Sequence, residues 1–456
     1  MTNINPRPGA PWSPVRALTV GRTTMQTARE PEPTERPPVT RRPRRLALVP
    51  VLLLLLAGCA TPRPPGLSCN LSAQAGAPTR KAVRSVPSWD HTVSARALAL
   101  REEIRQKFPA REAARRLLRP PTPLEAPPRP GVSPPPAEPT FTVLALSAGG
   151  QFGAYGSGFL KGWGDRADLQ PNRGDVDMIT GVSTGAMMAT YAYVGSSYDA
   201  ATREKYDALL RTQYTTLHSD DVFRERAKIE LLWANSIYDT AGLSARILAL
   251  IDDDLIAAVV AEHDRSRRLL YVGAVNADSG EFEYFDLVAI ARDTSHDRRA
   301  CYAAAILASA AIPVAFNPVF INGSMYVDGG ARQHAFLIEQ AAAALPGVRK
   351  HLLGILHGDL LVPPETTPNG LIGIASRTSS LATDQLLLDS AYYVDAEAKR
   401  LGYRTEWTAA VDTTCRTTAS DDIFDPALGS CLWGAGLARA RDDPRPWKAL
   451  TDLRAR

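Results

Sequence analysis

The sequence predicts an α/β fold of three layers, in which a mostly parallel central sheet is flanked by helices on both faces. From residue 141 onward, short apolar segments with strand character alternate with segments of helical periodicity, as expected for a parallel sheet covered on both sides. Glycines mark two of the strand-to-helix junctions in this region. Prolines mark its beginning, because 26 of the 36 lie before residue 141. We therefore predict one folded domain over 141–456.

The predicted elements follow one another along this domain. Strands are predicted over 141–147, 175–180, 268–277, 282–287, 350–356 and 405–411, with a hairpin over 319–327 that turns at Asn322-Gly323. Helices are predicted over 152–163, 183–194, 300–311 and 383–400. Ahead of the domain, residues 92–118 have helical spacing, and we expect this helix to break at Pro109.

The first 58 residues have the features of a bacterial export signal. Residues 41–45 read Arg-Arg-Pro-Arg-Arg, and 46–57 form an apolar run of twelve, too short for a membrane span of about 20 residues. The run leads into Leu-Ala-Gly-Cys, which ends at Cys59 and resembles the lipobox of bacterial lipoproteins. The resemblance implies a signal peptide over 1–58 and a lipid anchor on Cys59. The alternative, a buried core helix, is disfavoured because proline-rich polar segments flank the run.

The predicted anchor places the protein in the cell envelope, attached to a membrane and facing the periplasm or the cell surface. Ala60 follows the cysteine, and the absence of aspartate there favours the outer membrane. The N-terminal extension is long for a signal, so both Met1 and Met25 remain possible translation starts. Residues 59–140 are expected to form a stiff tether with a short helical segment, because ten prolines lie within 119–140.

Charge and cysteine usage restrict the partners and cofactors. Residues 1–58 hold nine arginines and three glutamates, whereas the rest of the chain has 43 basic and 45 acidic residues, so nucleic acid is not expected as a partner. Export permits disulfides among Cys69, Cys301, Cys415 and Cys431, and the favoured pair is Cys415 with Cys431. Four reduced cysteines remain the alternative. The spacing of the cysteines matches no metal site, and we expect no cofactor.

The first chemical motif is Gly-x-Ser-x-Gly, formed by Gly181, Ser183 and Gly185. It follows a predicted strand and precedes a predicted helix, which is the setting of a nucleophile elbow. The glycines are needed because a serine on such a sharp turn leaves no room for side chains two residues away. The motif predicts Ser183 as a nucleophile, and the alternative is a helix-capping serine.

The second motif is a glycine-rich turn, Ser-Ala-Gly-Gly-Gln-Phe-Gly over 147–153. Backbone N–H groups at such a turn can bind either a nucleotide phosphate or the oxyanion of an acyl-transfer intermediate. No nucleotide-binding pattern of glycines and lysine is in register, so we favour an oxyanion hole that uses the N–H groups of Gly149 and Gly150.

The third motif places Asp328 at the end of an apolar strand, followed by Gly329 and Gly330. It predicts a carboxylate at the edge of the sheet beside a flexible backbone. The alternative is a simple turn, because Asp-Gly is common in turns.

Together the three motifs resemble the patatin-like phospholipase family, a group of acyl hydrolases with a Ser–Asp dyad. The resemblance covers roughly residues 141–345 with motifs and extends more weakly to about 440. It implies a patatin-like fold, a membrane lipid as substrate, Ser183 as nucleophile and Asp328 as proton acceptor. It also implies an oxyanion hole formed by Gly149 and Gly150, to which the Thr184 N–H can contribute.

The sequence departs from the family's pattern at four positions. Ala148 stands where the family usually has glycine, and Phe152 where it often has a basic residue. After Asp-Gly-Gly, His334 and Phe336 replace the asparagine and proline that are often found, and we expect this change to reshape the pocket wall.

Three other functions remain open from the sequence. A Ser–Asp–His triad could use His357, whereas His334, on the helix expected after Asp328, is expected to be a pocket or surface residue. A surface lipoprotein could bind lipid or a partner without turnover, and a transacylase would share the acyl-enzyme. The motifs do not determine head group, acyl position, protein partners or oligomeric state. Apolar segments over 229–233, 247–251 and 386–393 could line an acyl channel, although ordinary core is favoured.

Overall fold

A computed structural model of the protein describes most of the chain from residue 63 to residue 454. The described residues are 63–70, 95–119, 139–227, 230, 234–358, 360, 364–410, 415 and 424–454, all within the unit Gly58–Arg456. The predicted signal peptide, the predicted anchor Cys59 and most of the proline-rich stretch lie outside the described residues.

Ten strands occur in the described chain, and eight of them form the central sheet. In chain order they are β1 (Thr140–Leu146), β2 (Met178–Val182), β3 (Arg224–Glu225), β4 (Tyr238–Asp239), β5 (Leu269–Asn276), β6 (Phe282–Asp286), β7 (Val319–Ile321), β8 (Ser324–Asp328), β9 (Arg349–Leu356) and β10 (Tyr403–Ala409). The sheet order is β10-β9-β1-β2-β5-β8-β7, with β6 also paired to β5, while β3 and β4 form a separate pair. Strands β10, β9, β1, β2 and β5 run parallel, and β6, β8 and β7 add antiparallel pairs.

Helices cover both faces of this sheet. In chain order they are α1 (Ala95–Leu118), α2 (Gly153–Asp165), α3 (Thr184–Gly195), α4 (Ala200–Thr215), α5 (Ser219–Val222), α6 (Ala241–Leu250), α7 (Asp253–Ser266), α8 (Leu287–Arg292), α9 (Arg298–Ser309), α10 (Glu339–Ala344), α11 (Leu371–Arg400), α12 (Pro426–Asp442) and α13 (Leu450–Arg454). No helix of the described residues is both long and apolar enough to cross a membrane.

Two apolar clusters show that the fold has three layers. Along β1, Val143 and Ala145 belong to one cluster, whereas Leu144 and Leu146 belong to the other. Successive strand residues point to opposite faces of a sheet, so each cluster lies on one face. The first cluster contains side chains of α1, α10, α11 and α13, and the second contains those of α2, α3, α6 and α9. The predicted α/β fold of three layers is confirmed.

Most predicted elements are confirmed, with shifts at their ends. The hairpin turns at Asn322-Gly323, where both residues have positive φ. Strand β2 begins at Met178 rather than at residue 175, because Asn172 caps a 3₁₀ turn over Arg173–Asp175. Helix α11 begins at Leu371, twelve residues before its predicted start.

The predicted break at Pro109 is wrong, because α1 continues through the proline. Proline removes one helical hydrogen bond, at a cost of about 3 kcal/mol in a helix interior. Contacts on both sides offset this cost. Ile104 and Phe108 are buried in the core, and the Arg111 guanidinium lies 2.7 Å from the carboxylate of Asp177. This part of the predicted tether therefore lies on the domain.

Replacing Arg111 with alanine is expected to destabilise the protein by about 3–5 kcal/mol, because Asp177 would remain as a poorly compensated buried charge. Both side chains are at most 3% exposed. Chemical denaturation of the full chain measures the change, and Arg101→Ala on the exposed side of α1 is the matched control. Equal stability of the two variants would contradict a structural role for this ion pair.

The described residues contain two disulfides, one between positions close in sequence and one between distant positions. Cys415 is bonded to Cys431, which confirms the favoured pair, and Cys69 is bonded to Cys301. The alternative of four reduced cysteines is therefore wrong. The second bond fixes residues 63–70 beside β7, where the Cys69 N–H also donates to the Asn322 side chain at 2.9 Å.

Candidate active site

The register of the sheet brings the ends of β2 and β8 together. Both β6 and β8 pair with β5 at Ala274, so they lie on opposite edges of β5, and β8 shares its edge with β2. Val182 at the end of β2 pairs with Gly273, and Asp328 at the end of β8 pairs with the next residue. Strand β8 therefore runs head-on toward β2, and Ser183 and Asp328 meet where the two strands end.

Ser183 occupies the strained turn that the elbow motif predicts. Its φ of 53° and ψ of −119° are unfavourable for a residue with a side chain, at a cost of about 1–3 kcal/mol. The flanking glycines permit close packing. A Cβ at Gly181 would lie 2.5 Å from the Gly185 carbonyl oxygen, and a Cβ at Gly185 would lie 2.3 Å from the Leu146 carbonyl oxygen. The predicted elbow geometry is confirmed.

Two side chains that the motifs did not indicate hold the elbow in place. The Ser309 hydroxyl accepts a hydrogen bond from the Ser183 N–H at 2.9 Å and donates one to the Gly273 carbonyl at 2.5 Å. The Tyr214 hydroxyl donates to the Thr184 carbonyl at 2.9 Å. Ser309 and Tyr214 belong to other helices, so no local pattern around the elbow could have identified them.

Asp328 is a buried carboxylate at the strand end that adjoins Ser183. Its Oδ1 accepts a hydrogen bond from the Gly330 N–H at 2.7 Å, and its side chain lines the same cavity as Ser183. In the described part of the chain no cation pairs with it. Burial raises the pKa of Asp328 to about 6, although the Ser183 side chain and the Gly330 N–H oppose the shift. The carboxylate is therefore a stronger base than an exposed aspartate and remains mostly ionised at neutral pH.

The glycines of the loop after β1 line the same cavity as Ser183. Gly149 has a φ of 152° and Gly150 a φ of 55°, which glycine adopts without strain. A Cβ at Gly149 would lie 1.3 Å from the His357 carbonyl oxygen, whereas a Cβ at Gly150 would meet nothing within 4 Å. Within the described residues, no acceptor is found for either N–H group. The loop can therefore offer two free donors to a ligand.

Ser147 and His357 support this loop. His357 Nδ1 lies 2.6 Å from the Ser147 carbonyl oxygen and so carries a proton, and the His357 N–H donates to Ser147 Oγ at 2.7 Å. Burial lowers the pKa of His357 to about 4, which leaves the ring neutral. Its Nε2 lies against Gly156 and has no partner in the described structure. His357 therefore does not complete the alternative Ser–Asp–His triad.

His334 is a second imidazole at the site, and it lies in a loop rather than on the expected helix. It is 4% exposed and lines the same cavity as Ser183 and Asp328. Its carbonyl accepts from the Ala148 N–H at 2.7 Å, and its own N–H donates to Ser390 Oγ at 3.0 Å. Burial lowers the pKa of the ring to about 4, and neither ring nitrogen has a partner within the described chain. His334 is thus a neutral pocket residue.

Two cavities meet at Ser183, which lines both together with Gly150 and Ile312. The first, here called the apolar arm, is a narrow cavity of about 70 Å³. Its walls are mainly aliphatic and aromatic and include Met187, Tyr191, Leu210, Leu243, Ile247, Leu250, Ile251 and Phe316. The second, here called the wide arm, has a volume of about 670 Å³. Its walls also carry polar groups, namely Asp328, His334, Ser379, Ser380, Thr383 and Asp384.

The arms account for two of the three apolar segments noted in the sequence. The segment 247–251 contributes to the apolar arm, and Leu386 and Leu387 contribute to the wide arm, so these residues line the site as well as the core. The segment 229–233 lies mostly outside the described residues. Thr184 lines the apolar arm, and Cys415 lines the wide arm. Among the described side chains, no group of three or more His, Cys, Asp or Glu is placed to hold a metal ion.

Comparison with known proteins assigns the class of this domain. Residues 144–342 match the family model described as patatin-like phospholipase. The matched segment contains the glycine loop, the elbow and Asp328, so the chain contains a patatin-like phospholipase domain.

Among solved structures, the chain is similar to VipD from Legionella pneumophila, with 14% sequence identity and a TM-score of 0.31. The similarity covers 66% of this chain and 66% of the VipD chain. No curated protein matches the chain.

Proposed function

We propose that the protein is a membrane-anchored hydrolase that cleaves carboxylic esters of phospholipids or related lipids through an acyl-enzyme intermediate. The observation that supports the proposal most directly is that Ser183, on its strained turn, and the buried carboxylate of Asp328 line the same cavity. This pair lies where an apolar arm and a wide arm meet, beside free backbone donors. The patatin-like phospholipase domain gives the reaction class.

In the acylation step, Ser183 Oγ attacks the ester carbonyl carbon, and Asp328 takes the hydroxyl proton. The carbonyl oxygen becomes an oxyanion that accepts hydrogen bonds from the N–H groups of Gly149 and Gly150, with the Thr184 N–H at the start of α3 as a further donor. When the intermediate collapses, the alcohol leaves with the proton from Asp328, and the acyl group stays on Ser183.

In the deacylation step, water occupies the place of the departed alcohol. Asp328 accepts a proton from this water, and the resulting hydroxide attacks the acyl-enzyme. The fatty acid leaves, and Ser183 recovers its proton from Asp328. One carboxylate can serve both steps because each step returns its proton before the next begins.

The two arms suggest how a lipid ester would lie across the site. We place the acyl chain in the apolar arm, where each buried methylene contributes about 0.8 kcal/mol to binding. We place the leaving alcohol in the wide arm, where hydroxyl groups of α11 and the His334 ring can hydrogen-bond to it. Lipidation of Cys59 would keep the domain at the membrane that supplies the substrate, with the outer membrane favoured.

The test combines active-site labelling with a substrate panel. The full-length protein in neutral detergent is treated with a fluorophosphonate probe, and Ser183→Ala is the control. Fatty-acid release is then measured from phosphatidylcholine, lysophosphatidylcholine and p-nitrophenyl esters. We expect labelling of Ser183 and release of free fatty acid from a lipid. A folded protein without labelling or release would be a non-catalytic binder, and acyl transfer to an added alcohol in place of hydrolysis would indicate a transacylase.

The pH dependence of activity is expected to follow the ionisation of Asp328. Because the base must be a carboxylate and its pKa is about 6, kcat/KM should fall about tenfold per pH unit below pH 6. His334 and His357 have pKa values of about 4, so their ionisation cannot account for a loss of activity that begins at pH 6. Kinetics from pH 4 to 9 on enzyme that stays folded measure the midpoint. Activity that persists undiminished at pH 4.5 would contradict Asp328 as the base.

A further inference from the structure

A second polar cavity lies at the opposite end of the parallel strands from Ser183. It has a volume of about 400 Å³ and is lined by residues at the starts of β1, β9 and β10 and at the end of α1. The candidate active site lies beyond the other ends of β1 and β9. Strand β1 has seven residues, so the two sites are about 20 Å apart. We call the second site the basic cavity.

The lining of the basic cavity carries a strong excess of positive charge. Six cationic side chains line it, against the two carboxylates of Glu112 and Asp175. The cations are Arg115, Arg116, Arg119, Arg349, Lys350 and Arg404. The same chain is nearly neutral outside its first 58 residues, so this excess is a local feature. Like charges that converge on a concave surface repel one another, and a bound anion relieves that repulsion.

The carboxylates in the lining, two against six cations, compensate only part of this positive charge. Both oxygens of Asp175 accept hydrogen bonds from neutral donors, namely the Tyr198 hydroxyl at 2.6 Å and the Asn172 N–H at 2.9 Å. The Arg119 guanidinium lies 4.0 Å from Asp175. Glu112 is shared between Arg115 and Arg116. Outside the lining, Arg404 pairs with Glu406 at 2.8 Å, and Arg115 lies 3.7 Å from Asp177.

Two cations are placed to bind a ligand at little cost. The Arg116 side chain is 60% exposed, and its guanidinium lies 3.3 Å from the Glu112 carboxylate. An ion pair that is exposed in this way contributes less than about 1 kcal/mol to stability. Lys350 Nζ has only a long hydrogen bond of 3.4 Å to the Val348 carbonyl, and no described carboxylate forms an ion pair with it. Both side chains can turn toward an anion without breaking a strong contact.

An unpaired hydroxyl at the same cavity is an independent indication of a ligand. Thr142 lines the cavity and is 1% exposed, and its Oγ1 has no hydrogen-bond partner among the described residues. A buried hydroxyl without a partner is unfavourable, and such groups commonly interact with a ligand or water. A threonine hydroxyl beside arginines and a lysine is a suitable donor set for phosphate oxygens.

We propose that the basic cavity binds the phosphate group of an anionic ligand at a site separate from the catalytic centre. Phosphate fits better than carboxylate because several arginines can each donate two hydrogen bonds to its oxygens. The phosphate can belong to a soluble phosphorylated molecule or to the head group of an anionic lipid. The proposal does not depend on the hydrolase mechanism.

Binding is tested by calorimetry with sodium pyrophosphate on the full-length protein in neutral detergent at low salt with EDTA. The test variant is R116E/K350E, and the matched control is R441E, because Arg441 is 56% exposed on α12 away from the cavity. Melting without ligand verifies that each variant is folded. We expect saturable binding by the wild type and R441E, with affinity about tenfold or more weaker in R116E/K350E, as for the loss of two charge-assisted contacts. The affinity should also fall as salt rises.

A second arm distinguishes the source of the phosphate. Vesicles with phosphatidylglycerol are compared with neutral phosphatidylcholine vesicles, which a lipid anchor alone would bind equally well. Preference for the anionic vesicles that pyrophosphate competes away, and that R116E/K350E loses, supports a lipid head group. Pyrophosphate binding without vesicle preference supports a soluble ligand. The proposal is overturned if neither probe binds, or if R116E/K350E binds both as tightly as R441E does.

Discussion

Replacing Asp328 with asparagine is expected to lower kcat/KM by about 10³-fold or more, because asparagine keeps the size of the side chain but cannot take the serine proton. The amide oxygen of the new side chain would still accept the hydrogen bond from the Gly330 N–H that fixes the native carboxylate. The fold and the position of Ser183 should therefore persist. Hydrolysis of a p-nitrophenyl ester and of a phospholipid by the full-length variant measures the loss.

The same variant should be more stable than the wild type above pH 6. The pKa of Asp328 is higher in the folded protein than in the unfolded chain, so folding favours the protonated carboxyl. The contribution of Asp328 to the free energy of unfolding consequently falls as pH rises from about 4 to about 6, and it stays low at higher pH. Asparagine removes the buried charge, so we expect the Tm of D328N to exceed that of the wild type at pH 8 by several degrees.

The histidines serve as controls for the dyad. His334→Asn should reduce kcat/KM by less than about tenfold, because the ring contacts neither Ser183 nor Asp328 by a hydrogen bond in the described structure. His357→Asn is expected to lower Tm as well as activity, because the ring supports Ser147. If His334→Asn lowered kcat/KM as much as D328N does and left the Tm unchanged, an imidazole would be favoured as the base.

Replacing Gly149 with alanine is expected to lower kcat/KM by about 10²- to 10³-fold. The added Cβ would lie 1.3 Å from the His357 carbonyl oxygen, and backbone with a φ of 152° is strained for alanine. The loop must therefore move, and its N–H groups leave the position of the oxyanion, where each donor contributes about 3–4 kcal/mol. Single-turnover kinetics should show the loss in acylation, with little change in substrate binding.

Gly150→Ala is the matched control for this loop. Its Cβ would meet nothing within 4 Å, and a φ of 55° costs alanine only about 1 kcal/mol, so less than a tenfold loss is expected. Both variants keep the backbone N–H, so only the path of the loop differs. Full activity of G149A would mean that the loop does not form the oxyanion hole.

The local chemistry of the site could be derived from sequence because each motif satisfies a requirement of short-range geometry. The elbow at Ser183 needs glycines at 181 and 185, because a Cβ at either position would lie within 2.5 Å of a carbonyl oxygen. The loop after β1 needs glycines at 149 and 150, because both positions have a positive φ. The hairpin at Asn322-Gly323 and the bond between Cys415 and Cys431 also join residues that are close in sequence. Such requirements involve few residues and so appear directly as patterns.

The tertiary structure alone decided how those pieces act together. The register of β2, β5 and β8 places Asp328 against Ser183, and Ser309 fixes the elbow from 126 residues away. Continuation of α1 through Pro109, the bond between Cys69 and Cys301, and the raised pKa of Asp328 likewise depend on distant residues. Burial and long-range pairing are properties of the assembled chain, since desolvation of a group depends on every element packed around it. A sequence pattern specifies which groups are present, whereas the burial and the partners of each group are set only when the helices pack on the two faces of the sheet.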